Sequence, residues 1–424
     1  MSESGRSSKK PCASSTESWA TPKSPASEPS PSAVEQADGR PQGTPLYVHL
    51  PFCVTKCHYC DFYSVAAEGQ DRGALLDAVL AEARLRAPFH PRTVFLGGGT
   101  PSLLSETELT TLLDGLEAIT GFRTSATEVT AECNPESLDR AKAERLLALG
   151  VNRLSIGFQS LHDEVLQFFG RVHSAEDSFA AYAAARSAGL PAVSVDLIYA
   201  IPGQTLEAWR DDLQQVLDLE PDHVSAYNLT FEEGTPFRRW LDDGRVTKLD
   251  EERELELFEA TRELTSQAGL DAYEVSNYSS SNHQCLHNVN YWQNGPYIGL
   301  GPSAVSKLGY TRSGNLRSVG GYTQAIRRSG SARDWSETPP APARLGETWW
   351  LGLRRAVGVD PAEALRTAGL EADSQDPARA TAEELVSQGL LAERGGRYLL
   401  TERGLPLADH VAARFLVPAD DPAT

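Results

Sequence analysis

The sequence predicts an α/β protein: a partial (β/α)6 barrel followed by a smaller C-terminal helical, winged-helix-like domain. Three observations lead there. From Pro45 onward, short β-rich apolar runs alternate about six times with amphipathic helical stretches, the pattern of a parallel sheet with right-handed crossovers. Six units fall short of the eight that close a full barrel, so one side stays open, which suits a large substrate. Near the C-terminus, helices give way to strand, Gly-Gly turn, strand and helix.

Taken in order, residues 1–43 are rich in Ser, Pro, Ala and Glu and carry no hydrophobic period. They cannot bury enough apolar surface to offset the entropy of ordering, so they read as a disordered tail. Strands are expected at Leu46–Leu50, Val94–Leu96, Val129–Glu132, Arg153–Phe158, Ala192–Ile198 and Val224–Leu229. Helices are expected at Arg72–Arg86, Glu106–Ile119, Leu138–Leu149, Ala175–Ala188 and Leu206–Leu217, the first with Asp71 as N-cap. A charged helix follows at Asp250–Ala268, then a loop-rich aromatic segment, 271–310. The C-terminal unit carries helices near Gly346–Arg355, Pro361–Ala368 and Ala382–Gln388, and its end runs from Leu391 through the turn Gly395–Gly396 to Phe415. The division is therefore a tail at 1–43, a barrel at 44–310 and a C-terminal domain at 311–424. The last helix carries little positive charge, so a structural or lid role is expected of that domain rather than DNA binding.

Of the 424 residues 40% are hydrophobic and 23% charged, ordinary for a soluble globular chain. No apolar run approaches the roughly 20 residues that cross a bilayer. The first forty residues lack a secretory apolar stretch, and Glu3, Glu17, Glu28 and Glu35 argue against a transit peptide, so a cytoplasmic location is expected. A net charge of −19 argues against a nucleic-acid partner.

Six cysteines are present, and three of them form the run Cys53-Val-Thr-Lys-Cys57-His-Tyr-Cys60 directly after the first strand. Cys12 falls in the tail, and Cys133 and Cys285 read as buried small hydrophobes. Three thiolates on one tight loop can each ligate one iron of a 4Fe–4S cubane, leaving the fourth iron without a protein ligand. Structural zinc is the alternative, with His58 or His49 as fourth ligand, but such sites more often use paired C-x2-C knuckles.

This C-x3-C-x2-C run resembles the radical S-adenosylmethionine (SAM) superfamily. Gly97-Gly98-Gly99-Thr100-Pro101-Ser102, after the second strand, agrees with it, since glycines there let backbone approach a ligand. The resemblance implies a 4Fe–4S cluster at Cys53, Cys57 and Cys60, SAM chelated on its free iron, a reductant for the cluster, and one-electron reductive cleavage of the sulfonium C–S bond to methionine and a 5′-deoxyadenosyl radical.

Further matches are Tyr47-Val48-His49-Leu50-Pro51-Phe52-Cys53, Glu132-Cys133-Asn134-Pro135, Gly157-Phe158-Gln159-Ser160, Gly170-Arg171 and Asp196-Leu197-Ile198-Tyr199. They are similar to the oxygen-independent coproporphyrinogen III oxidase family from about Pro45 to the C-terminus. The resemblance implies SAM contacts from Tyr47, Tyr59, Gly98, Gly99, Thr100, Glu132, Gln159, Arg171 and Asp196. One departure matters: the oxidases carry a fourth cysteine two residues after the third, where this chain has Phe62. In this it resembles the HemW subfamily, regarded as heme chaperones, whose H-N-x-x-Y-W motif is present as His287-Asn288-Val289-Asn290-Tyr291-Trp292. That resemblance implies heme binding, with His287 as axial ligand, Tyr291 and Trp292 against the porphyrin, and Tyr273–Tyr278 as another strand end of the site. The only methionine is Met1, so a sixth ligand must be His, Cys, Tyr, water or a partner. Three functions follow: a carrier handing heme to a respiratory apoprotein, a coproporphyrinogen III oxidase, or a radical enzyme acting on RNA.

Overall fold

The computed structural model describes residues 43–87, 89–371 and 376–416. The tail expected at 1–43, with Cys12, lies outside the described residues except for Gly43, which bridges to Pro91.

All six expected barrel strands form: β1 (Leu46–Leu50), β2 (Thr93–Gly98), β3 (Glu128–Cys133), β4 (Arg153–Gln159), β5 (Ala192–Tyr199) and β6 (His223–Asn228). They pair in sequence order and all in parallel. Helices Arg72–Arg86, Glu106–Thr120, Arg140–Ala148, Ala175–Ser187 and Leu206–Leu217 make the crossovers. A strand order that never reverses keeps the crossover helices on one face and curls the sheet around the other.

The chemistry of the helix starts is local. Asp71 accepts from the Ala74 N–H at 2.9 Å, as expected of an N-cap. Ser105 and Glu108 form a reciprocal capping box ahead of the second crossover helix. Asp250 caps the charged helix Glu251–Gln267.

The sheet is open and wider than expected. Segment 271–310, expected to be loop-rich with a strand end at Tyr273–Tyr278, supplies Ile298–Leu300 parallel to β1 at one edge. It also supplies Asn277–Ser279 antiparallel to β6, and Asp271–Ala272 outside that. The physical reason is edge satisfaction: unpaired N–H and C=O rows on β1 and β6 need partners, and even two- or three-residue segments supply them.

The larger hydrophobic core includes Tyr322 and Ile326. The Tyr322 hydroxyl donates to buried Glu82 at 2.7 Å, and Asn315 and the Gly301 N–H also bond that carboxylate. Thr311 pairs with Leu308 in an antiparallel sheet of three strands, so position 310/311 is a hairpin within one sheet. A second core gathers residues from Leu345 to Phe415, where Trp349 stacks on Phe415 at 4.9 Å. Helices occupy Ala341–Gly352, Pro361–Ala368 and Pro377–Ser387, and strands Leu391–Arg394 and Arg397–Leu400 form a hairpin. Both turn residues, Gly395 and Gly396, have positive φ (59° and 78°), the backbone of a tight two-residue hairpin.

Candidate functional site

Side chains alternate across a strand, so each barrel strand presents one apolar and one inward row. Val48, Leu96, Ala131, Ile156, Val195 and Val224 form the outer row and are fully buried in the core with the helices. The inner row includes Tyr47, Glu132, Arg153, Ser155, Asp196 and Ser225, which line a cavity of about 320 Å³.

The three cysteines sit on the loop leaving β1, part-buried. Burial pushes the Cys60 thiol up to about 11 and raises that of Cys53. One hydrogen-bond chain ties two of the sulfurs together. Arg171 Nη1 donates to Cys57 Sγ at 3.6 Å, while its Nη2 donates to Asn134 Oδ1 and to the Gly157 carbonyl, both at 2.9 Å. Asn134 Nδ2 donates to Thr100 Oγ1 at 3.0 Å, and Thr100 donates to Cys53 Sγ at 3.6 Å. The glycine turn presses on this loop: a Cβ on Gly99 would lie 2.6 Å from the Leu50 carbonyl oxygen. Gly98, at φ 98°, leaves no room for a Cβ beside the His49 ring.

Gly98 uses its freed N–H to hold Glu132 Oε2 at 3.0 Å. Burial raises the Glu132 carboxyl to about 7, against the pull of that N–H, and the neighbouring Asp196 charge adds to the rise. Asp196 is held by the hydroxyls of Ser155, Ser194 and Ser225 at 2.8–3.2 Å. Gln159, beyond a register slip at the end of β4, has φ 67°, a strained backbone for a non-glycine residue at a site.

Glu132 carries a testable sign. Its folded pKa lies above the ordinary carboxylate value, so its stability contribution is full below about 4.5 and lost as pH rises through about 7. Glu132→Gln is therefore expected to leave stability unchanged at pH 4.5 and raise it by up to about 3 kcal/mol at pH 8. Urea unfolding at both pH values checks it; equal stability of variant and parent at pH 8 contradicts it.

Helix Leu286–Trp292 closes the opposite end of the barrel. Glu128, at the start of β3, accepts from the Leu286 and His287 N–H groups at 2.8 and 3.0 Å. His287 is wholly buried, with Nδ1 bonded to Thr93 Oγ1 at 2.8 Å and Nε2 to the Tyr291 hydroxyl at 3.0 Å. Burial lowers its pKa to about 3, so the ring is neutral. Tyr291 lines the cavity, whereas Trp292 lies 4.9 Å beneath the Arg354 guanidinium. Tyr59, by contrast, packs edge-on against Phe169 under the cysteine loop.

Known proteins extend this picture. The radical SAM superfamily profile matches residues 47–216. The chain is 32% identical over 375 residues to the heme chaperone HemW of Bacillus subtilis (strain 168), covering 87% of this chain and 98% of that one. It is 36% identical over 386 residues to the heme chaperone HemW of Mycobacterium tuberculosis (strain CDC 1551 / Oshkosh), covering 89% and 95%. The chain belongs to the HemW family. Its fold matches that of coproporphyrinogen III oxidase (HemN) from Escherichia coli, a radical SAM enzyme, with a TM-score of 0.77 at 24% identity over 88% of this chain and 90% of that one.

The superfamily brings with it a 4Fe–4S cluster and SAM. The donor set fits: three thiols on one loop, two already accepting hydrogen bonds of the kind that tune cluster sulfurs. A single zinc fits poorly. His49 has both ring nitrogens engaged, by the Tyr47 hydroxyl and the Tyr63 carbonyl at 2.9 Å. The His58 ring, bonded through Nδ1 to the Phe168 carbonyl at 2.8 Å, packs against Trp240 and Phe237 with centroids 4.9 and 6.2 Å away. Among the described residues no three His, Cys, Asp or Glu side chains converge on one ion.

In this HemW-family site, Tyr47, Glu132, Asp196 and His287 share the cavity, while Thr100 and Arg171 reach the cysteines. Asn134, Ser155, Ser194, Ser225, Arg153 and Thr130 were not singled out by sequence. Their signal is the alternation itself: in β3 to β6 polar residues recur at every second position between apolar ones, broken at Gly157, Ala192 and Ile198.

Proposed function

We propose that the chain is a heme chaperone that binds heme and hands it to an acceptor apoprotein. The observation that carries this is its similarity to HemW proteins over 87% and 89% of the chain, together with Phe62 where the oxidase pattern has cysteine. Phe62 is 65% exposed and Tyr227 42% exposed, and both line the cavity mouth. Large apolar side chains left in water beside a site mark a contact surface, and the porphyrin face is placed against them. His287 is read as the cavity floor rather than as axial ligand, because both ring nitrogens are bonded and no face is exposed.

In this reading Cys53, Cys57 and Cys60 hold the cluster. Tyr47, Gly98, Gly99, Thr100, Glu132, Gln159, Arg171 and Asp196 hold SAM, with Tyr59 supporting the loop from below. The bound pair supplies one-electron cleavage chemistry. The chain's own residues supply orientation: Arg171 and Thr100 fix the sulfurs, and Glu132 and Asp196 offer carboxylates to hydroxyl or ammonium groups. The C-terminal unit braces the floor helix through Arg354 over Trp292 and the Asn294–Thr348 hydrogen bond of 3.0 Å. No helix among the described residues is long and apolar enough to cross a membrane. The proposal includes a cytoplasmic location, an external electron donor and no nucleic-acid partner.

The test is anaerobic mixing of the heme-loaded, reconstituted chain with apomyoglobin as surrogate acceptor. Heme is expected to move to the acceptor. In a parallel incubation with coproporphyrinogen III, SAM and reductant, no protoporphyrinogen is expected. Its formation, or heme that never leaves the chain, overturns the reading.

A further inference from the structure

Arg153 is a buried cation with a duty left unfilled. It begins β4, is 4% exposed, and its guanidinium points among the cavity-lining residues. It makes one hydrogen bond among the described residues, from Nη1 to the His283 carbonyl at 2.9 Å, and no ion pair. A buried guanidinium carries five donors and a permanent charge; the Asp196 carboxylate in the same cavity feels that charge but makes no ion-pair contact with it, so the fork itself stays without a bound anion. Beside it, in direct cross-strand register, stands Thr130. That side chain is 1% exposed, lines the same cavity, and its hydroxyl has no hydrogen-bond partner. Arg153, with one of its five donors used, and Thr130, with none, therefore line one space.

We infer that the lower cavity is a binding site for a small carboxylate, held by Arg153 and Thr130. The strand geometry separates it from the SAM contacts. Arg153 and Gln159 lie at opposite ends of β4, six residues and so roughly 20 Å apart at about 3.3 Å per residue. Arg171 and the cysteines are at the Gln159 end, since Arg171 bonds both Cys57 and the Gly157 carbonyl. Asp196 sits at the level of Gly157, above Arg153. Carboxylates at mid-height and a cation with a hydroxyl at the floor orient a ligand whose acid group points down. Ser155 and Ser225 already donate to Asp196, whereas Arg153, Thr130 and the Asn288 amide of the floor helix also line the cavity. The site is the floor of the same cavity whose mouth Phe62 and Tyr227 line, and it is read with a different ligand from heme, so the two proposals can fail separately.

The experiment is ligand-observed NMR titration of the anaerobically reconstituted full chain with propionate, with chloride as a control anion. Saturable propionate binding that chloride does not match is expected. Arg153→Met should weaken it at least about tenfold, Arg153→Lys less, and Thr130→Val about three- to fivefold. Heme titration of the same variants should be unchanged. Binding that persists in Arg153→Met, equal binding of chloride, or no saturable binding to the folded parent overturns the inference. Should Arg153→Met fail to fold, unchanged propionate affinity in folded Thr130→Val overturns it instead.

Discussion

Cys57→Ala is expected to abolish cluster assembly, with iron and sulfide per chain falling from about four each to near zero after anaerobic reconstitution. Each thiolate holds a different iron, so no remaining side chain substitutes for the lost one. The structure adds a second reason. Arg171 is partly neutralised through Cys57 Sγ and its neighbours, and removing the sulfur leaves a buried guanidinium short of a partner. Cys133→Ala and Cys285→Ala serve as controls. Both thiols are 2% exposed, and burial raises both pKa values, that of Cys133 to about 12, so neither offers a ready thiolate. Iron retained in Cys57→Ala, or lost in the two controls, contradicts the assignment.

His287→Ala is expected to destabilise the protein by about 2–4 kcal/mol while leaving heme binding intact. The ring fills space between Phe95 and Tyr291, with centroids 5.2 and 5.0 Å away, so its loss opens a void. It also strands the hydroxyls of Thr93 and Tyr291 in a buried place. Urea denaturation measures the first effect and heme titration the second. A variant as stable as its parent that no longer binds heme would restore His287 as an axial ligand.

Much of this fold was readable because its signals are local. Arg72–Arg86, Leu206–Leu217 and Pro361–Ala368 form as the periodicity predicts, the first behind its expected cap Asp71. All six strands lie where the apolar runs put them. The segment 271–310 was readable only at the strand end expected at Tyr273–Tyr278; three of its strands, Asp271–Ala272, Asn277–Ser279 and Ile298–Leu300, are two or three residues long and complete the edges of the large sheet. The site divides the same way. Cys53, Cys57 and Cys60 declare themselves by spacing, and the Gly97–Gly99 turn by composition. For His287 the motif gives a residue type but not its hydrogen-bond partners, and both ring nitrogens are engaged, by Thr93 and Tyr291. The helix carrying it is turned inward by Glu128, more than 150 positions away in sequence, which binds its first N–H groups. Arg153 and Thr130 were invisible for a similar reason: each is an ordinary strand residue until the sheet curls and puts them on the same inner face.

The most direct test of the account is heme titration of the anaerobically reconstituted chain, followed by its Soret band, with Phe62→Ser alongside. The account predicts a saturable one-to-one shift, weakened about ten- to thirtyfold in Phe62→Ser, in line with the roughly 1.5–2 kcal/mol of burying an aromatic face. No saturable shift, or one indifferent to Phe62, would contradict heme carriage at the cavity mouth.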